Sequence, residues 1–210
     1  VAEPLEGLSE YELEQVMNRL GQLELTGDEE SRVRELLGVA SLPGAYGVAL
    51  ALNERGVNEA LASGVAEVAT VVSATEEHSQ ANANRSRESA IANVRRLCEL
   101  RDASAHKPVV NSAISMALGC SIVGPVDPAE VLRLTEKLLE AGVDMVAIAD
   151  TVGYAGPKQV GELTAAAVKI AGSKPICIHL HDTRGMGIAN ASAALDAGAR
   201  VLDGSLGGLG

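Results

Sequence analysis

From Tyr46 onward, short and largely apolar runs alternate with amphipathic stretches, and polar residues collect just after the runs end. That pattern predicts an α/β fold of parallel strands, a TIM (β/α)8-type barrel that is incomplete, with about six recognisable strands. Runs apolar on both faces are what parallel strands covered by helices require. A recurrence of roughly 30 to 40 residues fits successive strand–helix units. No glycine-rich fingerprint follows the first run, which disfavours a dinucleotide-binding sheet. Polar residues at the C-terminal ends of strands mark the active face of a barrel.

Residues 1–45 differ from the rest and are expected to form an atypical helical N-terminal segment, with residues 46–210 as the barrel domain. Leu8, Leu13, Val16, Leu20 and Leu23 have helical spacing, and Ser9 is a candidate cap. A second helix is expected between Asp28 and Gly38. The expected strands are 46–52, 66–73, 108–116, 143–149, 175–180 and 200–204. Between them lie helices over "NERGVNEALASG", "RESAIANVRRLCELRDASA", "PAEVLRLTEKLLEAG", "GPKQVGELTAAAVKIAG" and "GMGIANASAALDAG". Pro128 suits a first helical turn. "ATEEHSQANANRS" reads as a polar loop, with Glu77, His78 and Gln80 facing solvent. The "GSLGGLG" end reads as a flexible loop after the last strand, so the chain is expected to stop within a unit.

Composition narrows the function. The net charge is −11, which argues against nucleic acid as a partner. An anionic ligand would need local donors: a metal, an Arg or helix N-termini. No apolar run is long enough for a membrane helix, and no signal peptide is visible. The three cysteines are few, scattered and odd in number, which fits a reducing, cytoplasmic setting. Phe and Trp are absent and Tyr occurs three times, so the core must be aliphatic.

The chemistry concentrates in "HLHDTRGMGIAN". His179 and His181 are two apart on an expected strand, so both side chains share one face. At a barrel mouth that face could chelate a divalent cation, although a core histidine beside a surface one is the plainer alternative. Asp150 ends an apolar strand, where a carboxylate must be hydrogen-bonded or bound to a cation. Capping its own loop is the structural alternative. Asp182 reads as a support for the histidines or a helix cap. Arg184 could hold a carboxylate or phosphate, or be a solvated loop residue. Asn190 reads as facing the barrel or as surface. His106 reads as structural, Cys98 and Cys177 as core, and Cys120 as core or site-lining.

The stretches "SATEEHSQANAN", "ALGCSIVGPVDP", "AIADTVGYAGP", "HLHDTRGMGIAN" and "VLDGSLGGLG" together resemble the 3-hydroxy-3-methylglutaryl-CoA lyases. The resemblance covers about residues 46–210. It implies cleavage of a carbon–carbon bond in a 3-hydroxy-3-methylglutaryl thioester, or a related 3-hydroxyacyl-CoA, to acetyl-CoA and acetoacetate. It also implies a divalent cation, Mg or Mn, acting as a Lewis acid. By motif, His179 and His181 are the metal ligands and Asp150 the catalytic Asp. Thr151, Asn82, Asn84 and Arg184 fall to substrate binding, with an acyl-CoA thioester as partner and a homo-oligomer as the assembly.

The departures are specific. The family's Arg-Asp-Gly-Leu-Gln motif, which carries a metal-ligating Asp, has no match in residues 1–45. The family's catalytic loop Cys and ligating Asn would follow Gly210. Two rival readings stay open. One is a 2-isopropylmalate or homocitrate synthase-like acyltransferase, disfavoured by "HDT" and "GSLGGLG". The other is an inactive barrel fragment. Carboxyltransferase domains of pyruvate carboxylase share His-x-His-Asp-Thr but usually follow it with Ser-Gly.

Overall fold

The computed structural model describes residues 45–204. The two helices expected before residue 45 and the glycine-rich end lie outside the described residues. The strands are β1 (Val48–Leu50), β2 (Glu67–Ser73), β3 (Val109–Ser115), β4 (Met145–Asp150), β5 (Ile176–Leu180) and β6 (Val201–Asp203). They form one six-stranded parallel sheet in the order β1-β2-β3-β4-β5-β6. Sequential order with helical crossovers is the arrangement of an incomplete (β/α)8-type barrel. All six expected strands are present. The first is shorter than the apolar run 46–52, although its backbone pairing to β2 reaches Gly47 and Ala51; Tyr46, Val48, Leu50 and Leu52, which alternate along it, are exposed.

Helices α1 (Glu54–Ser63), α2 (Glu76–Ala83), α3 (Arg87–Ala103), α4 (Pro128–Ala141), α5 (Pro157–Ala171) and α6 (Gly187–Asp196) make the connections. Each start has a local cause. Asn53 accepts the amide of Gly56 at 2.9 Å, and Asp127 accepts that of Ala129 at 2.9 Å ahead of Pro128. Helix α4 stops at Gly142, whose φ of 103° lies in the left-handed region. A Cβ there would also stand 3.3 Å from the Cys98 Cβ. Among the described residues, no helix is long and apolar enough to cross a membrane.

Helix α2 corrects the sequence reading, which made residues 74–86 a loop. Thr75 caps it by accepting the His78 amide at 3.3 Å, and Glu76 and Glu77 occupy the positive end of its dipole. Asn84 ends it in the left-handed region, at φ 49°. The helix has almost no apolar face, so hydrophobic periodicity could not reveal it.

The sheet faces are chemically unlike. Val68, Val72, Val110, Ile114, Val146 and Ile148 point outward under the helices and are almost fully buried. Against them pack Val131, Leu134 and Leu138 of α4 and Val160, Leu163 and Ala167 of α5. The inner face is small: Met145, Ala147 and Cys177 cluster with Ala113 and Val201. At the N-terminal end, Arg101 of α3 ties the layers together. It pairs with Asp144 and Asp102 and donates to the Gly142 carbonyl at 3.2 Å. Asp144 in turn accepts the Val110 amide at 2.8 Å.

Glu130, in the first turn of α4, accepts from Arg133 and from Arg87 of α3. The Arg133 bonds first, and Arg87 second, hold its carboxyl down to about 2 from 4.5, against the opposing effect of partial burial. A depressed carboxylate pKa adds stability above the ordinary value, and that stability is lost as pH falls through the folded one. Glu130→Gln should therefore unfold at lower temperature than the parent at pH 6. The gap should close as pH falls from 4.5 towards about 2, read from thermal unfolding curves across that window.

Candidate active site

Parallel register assembles the site. Ser73 pairs with Ser115, Ala149 with His179, and His179 with Asp203. One position beyond the Ile114–Ile148 pair, Ser115 lies beside Ala149. Five adjacent strands thus present Ser73, Ser115, Ala149, His179 and Asp203 in one row across the inner face at the mouth. The row beneath is Val71, Ala113, Ala147, Cys177 and Val201.

The two histidines meet as their spacing predicts. Their Nε2 atoms are 3.2 Å apart, and the rings sit edge to face at 69°. His179 Nδ1 lies 2.7 Å from the Asp203 carboxylate. A carboxylate only accepts, so Nδ1–H donates and the neutral ring keeps a lone pair on Nε2, aimed at His181. The Asp203 hydrogen bond is the largest influence on His179 and raises its pKa above the ordinary value against partial desolvation. Asp203 was missing from the sequence reading. The signal was there in "VLD", an acidic residue ending a strand as Asp150 does, but only the register reveals that it faces His179.

Asp150 is fully buried, yet it does not join the histidine side chains. It shares the outward parity of Ile148, and its carboxylate accepts the amides of Tyr154 at 3.2 Å and Ala155 at 3.1 Å. The structural alternative, a carboxylate capping its own loop, describes this geometry. Thr151 Oγ1 accepts the Met116 amide at 2.8 Å, fastening the β4 loop to the β3 loop. Arg184 is exposed and donates to the Tyr154 carbonyl at 2.9 Å. The two loops touch at Gly153, where φ is 65° and a Cβ would stand 2.5 Å from Thr183 Oγ1 and 2.8 Å from its backbone N. Only glycine permits that approach.

Asn82 is exposed on α2, and exposed Asn84 serves as its left-handed cap. Neither contacts the histidine pair. Beside them His78 departs from the solvent-facing expectation: it is half-buried, with Nδ1 2.8 Å from Ser73 Oγ. Desolvation pushes its pKa down. Gln80 and Glu77 are exposed as expected. Asp182 caps α6 by accepting the Gly187 amide at 2.6 Å, and Asn190 is buried, donating to the Ala155 carbonyl at 3.1 Å. His106 Nε2 sits 2.7 Å from the Val65 carbonyl, a structural contact.

All three cysteines are free and buried. Burial pushes Cys177 up to about 12 and Cys98 up to about 11. Burial also raises Cys120, but hydrogen bonds from Thr75 and the amides of Val123 and Ile122 outweigh it and lower its pKa overall.

The donor set suits a divalent cation in part. Two nitrogens bound at about 2.1 Å to one ion, near a right angle, stand about 3 Å apart. The His179–His181 separation of 3.2 Å matches this distance. Asp203 supplies the carboxylate that commonly orients a ligating imidazole through its other nitrogen. Among the described residues, no group of three His, Cys, Asp or Glu side chains converges on one point.

A family model described as HMGL-like matches residues 26–210. Hydroxymethylglutaryl-CoA lyase YngG of Bacillus subtilis (strain 168) is 34% identical over 173 residues, which is 82% of this chain and 57% of the relative. A Pseudomonas aeruginosa protein named 3-hydroxy-3-isohexenylglutaryl-CoA/hydroxy-methylglutaryl-CoA lyase is 36% identical over the same shares, 82% and 57%. A solved HMG-CoA lyase from Acinetobacter baumannii, in complex with coenzyme A and 3-methylmalate, superposes with a TM-score of 0.77 at 26% identity. That match covers 93% of this chain and 68% of that one. The chain thus spans little more than half the length of these two curated relatives.

Two outcomes follow from this geometry. Asp203→Ala removes the hydrogen bond and the charge that raise His179, so the His179 titration followed by NMR in metal-free buffer should move to lower pH. Gly153→Ala should cost at least about 1 kcal/mol in chemical denaturation, since it combines a positive φ with a backbone clash.

Proposed function

The chain belongs to the HMGL-like family, and from that premise we propose that its protein is a divalent-metal-dependent carbon–carbon lyase. The substrate in this reading is 3-hydroxy-3-methylglutaryl-CoA or a related 3-hydroxyacyl-CoA, and the products are acetyl-CoA and acetoacetate. The observation that carries the reading is the histidine pair, poised on one face of β5 with Asp203 fixing the ring of His179. The named activities of the relatives support it.

His179 and His181 are the residues that would hold the cation, Mg or Mn, whose chemistry is Lewis-acid polarisation of substrate oxygens. Asp203 keeps the Nδ1 proton of His179 in place, so that Nε2 stays available as a donor atom. The reaction removes the proton of the 3-hydroxyl and turns that oxygen into a carbonyl. The C2–C3 bond breaks, its electron pair passes to C2 as an enolate, and a proton returned to C2 gives acetyl-CoA.

Asp150, the catalytic candidate of the sequence, has a positioning role in this reading, supported by its two amide bonds, which hold the 151–155 loop. Thr151 keeps its O–H free to donate to substrate, because its oxygen is used as an acceptor. Arg184 has further N–H donors beyond its bond to Tyr154 and suits an anionic group of the thioester. Asn82 and Asn84 supply exposed amides for the coenzyme A chain. The reading includes a cytoplasmic setting, supported by three free thiols. It also includes a homo-oligomer, supported by Ile188 and Leu195 on the exposed side of α6.

Acetoacetate release from 3-hydroxy-3-methylglutaryl-CoA, assayed with Mg or Mn on the full-length protein, tests the proposal. His179→Ala and His181→Ala should each lower the rate by at least about 100-fold, the scale of several kcal/mol of lost charge stabilisation. A folded wild type that binds the thioester and releases nothing sinks the reading.

A further inference from the structure

Ser115 occupies the mouth row between Ser73 and Ala149, and it is only 9% exposed. Its Oγ is one of the few buried side-chain oxygens with no hydrogen-bond partner among the described residues. A buried hydroxyl without a partner is costly and calls for an explanation. Others in that condition sit elsewhere. Ser112 is enclosed on the helix side of β3, and Asn111 lies deeper in the interior with its Nδ2 donating to Glu67 at 2.9 Å. Ser115 alone among the strand hydroxyls without a partner stands at the mouth.

Parity fixes where it points. Ala113 packs with Ala147 and Cys177 on the inner face, and Ile114 packs in the outer core. Ser115 therefore shares the inner face with Ala113 and with His179. Two strand spacings separate Ser115 from His179, roughly 10 Å between their Cα atoms at about 4.8 Å per strand. Ala149 lies between them and contributes a single methyl. Beneath is the equally small shelf of Ala113 and Ala147. A barrel interior is ordinarily filled by branched side chains; here the residue between the histidine pair and Ser115 is an alanine, above a shelf that is alanine too.

We propose that Ser115 is a substrate-binding hydroxyl: it donates its O–H to an oxygen of the acyl group, the terminal carboxylate of a short 3-hydroxy diacid, lying over Ala149. Its role is to bind and orient the acyl group. It rests on the lyase reading, since that reading supplies the acyl group. Ala149, standing between them on β4, limits what can lie between the imidazoles and Ser115.

The test uses the full-length protein, with 3-hydroxy-3-methylglutarate as the binding probe and 3-hydroxy-3-methylglutaryl-CoA as the substrate. Ser115→Ala should weaken the diacid, by calorimetry with Mn present, and raise KM, each by about 10- to 100-fold, the scale of one hydrogen bond to a charged group. Its kcat should fall much less than KM rises. Ser115→Thr should restore most of the binding, and Ala149→Val should weaken it by adding bulk between the imidazoles and Ser115. Mn affinity, read by electron paramagnetic resonance, should stay at the wild-type value in all three. Diacid binding and KM unchanged in Ser115→Ala overturn the assignment while the lyase reading stands. A wild type that releases no acetoacetate overturns the lyase reading whatever Ser115→Ala does. Weakened diacid binding with an equal loss of Mn affinity also overturns the assignment, because the effect would then be on the metal site.

Discussion

The site depends on strand register. Every described pairing in the sheet is parallel, and from β2 to β6 it runs without a bulge. A row of side chains therefore keeps one height and one face across five strands. A slip of one residue between β5 and β6 would turn Asp203 to the opposite face and leave His179 without its partner. The register is held by outward residues such as Val146, Ile148 and Ile178, which cannot exchange faces without exposing the core. The hydrophobic layer under the helices thus determines the chemistry on the other side of the sheet.

That division explains the composition. A chain with no Phe or Trp fills its outer layer with Val, Leu and Ile from both sheet and helices. The inner layer is mostly Ala, Ser and Cys, with Val71, Met145 and Val201 as its larger members. The loops above the strand ends are tied to one another. The β4 loop is cinched by Asp150 through two amides, tied to the β3 loop through Thr151, and set against the β5 loop at Gly153. A fully buried carboxylate with two amide donors is a stable element, and its position just below the mouth makes it a frame for the strand ends and loops around it.

Much of this was legible in the sequence, for physical reasons. Six strands and five helices were visible because their burial imposes periodicity and their ends carry Asn, Asp, Pro and Gly in meaningful places. The histidine pair was visible because alternation of two is a local property. Helix α2 was hidden because it buries little and is held by caps: Thr75 and Asn84 mark it, but they mark loops equally well. Asp203 and Ser115 were hidden for another reason. Their importance lies in which residue stands opposite them on the next strand, 24 residues away for Asp203 and His179. Asp150 was visible as a residue that must be satisfied, and the sequence could not say whether a substrate or its own loop would satisfy it.

Charge sets the last constraint. A chain of net charge −11 repels an anionic ligand at long range, so recognition of one has to be local. The mouth is arranged accordingly. Three of the acidic groups near it are engaged: Asp150 by amides, Asp182 by the start of α6, and Asp203 by His179. Each therefore presents less free negative charge to an incoming ligand. The groups left with donors to spare are Arg184, the Thr151 hydroxyl and the Ser115 hydroxyl, beside the imidazole pair. An acidic protein can hold an anion when its own carboxylates are spent on internal partners and its unspent groups are donors. This row of strand ends, with the loops above it, meets that condition.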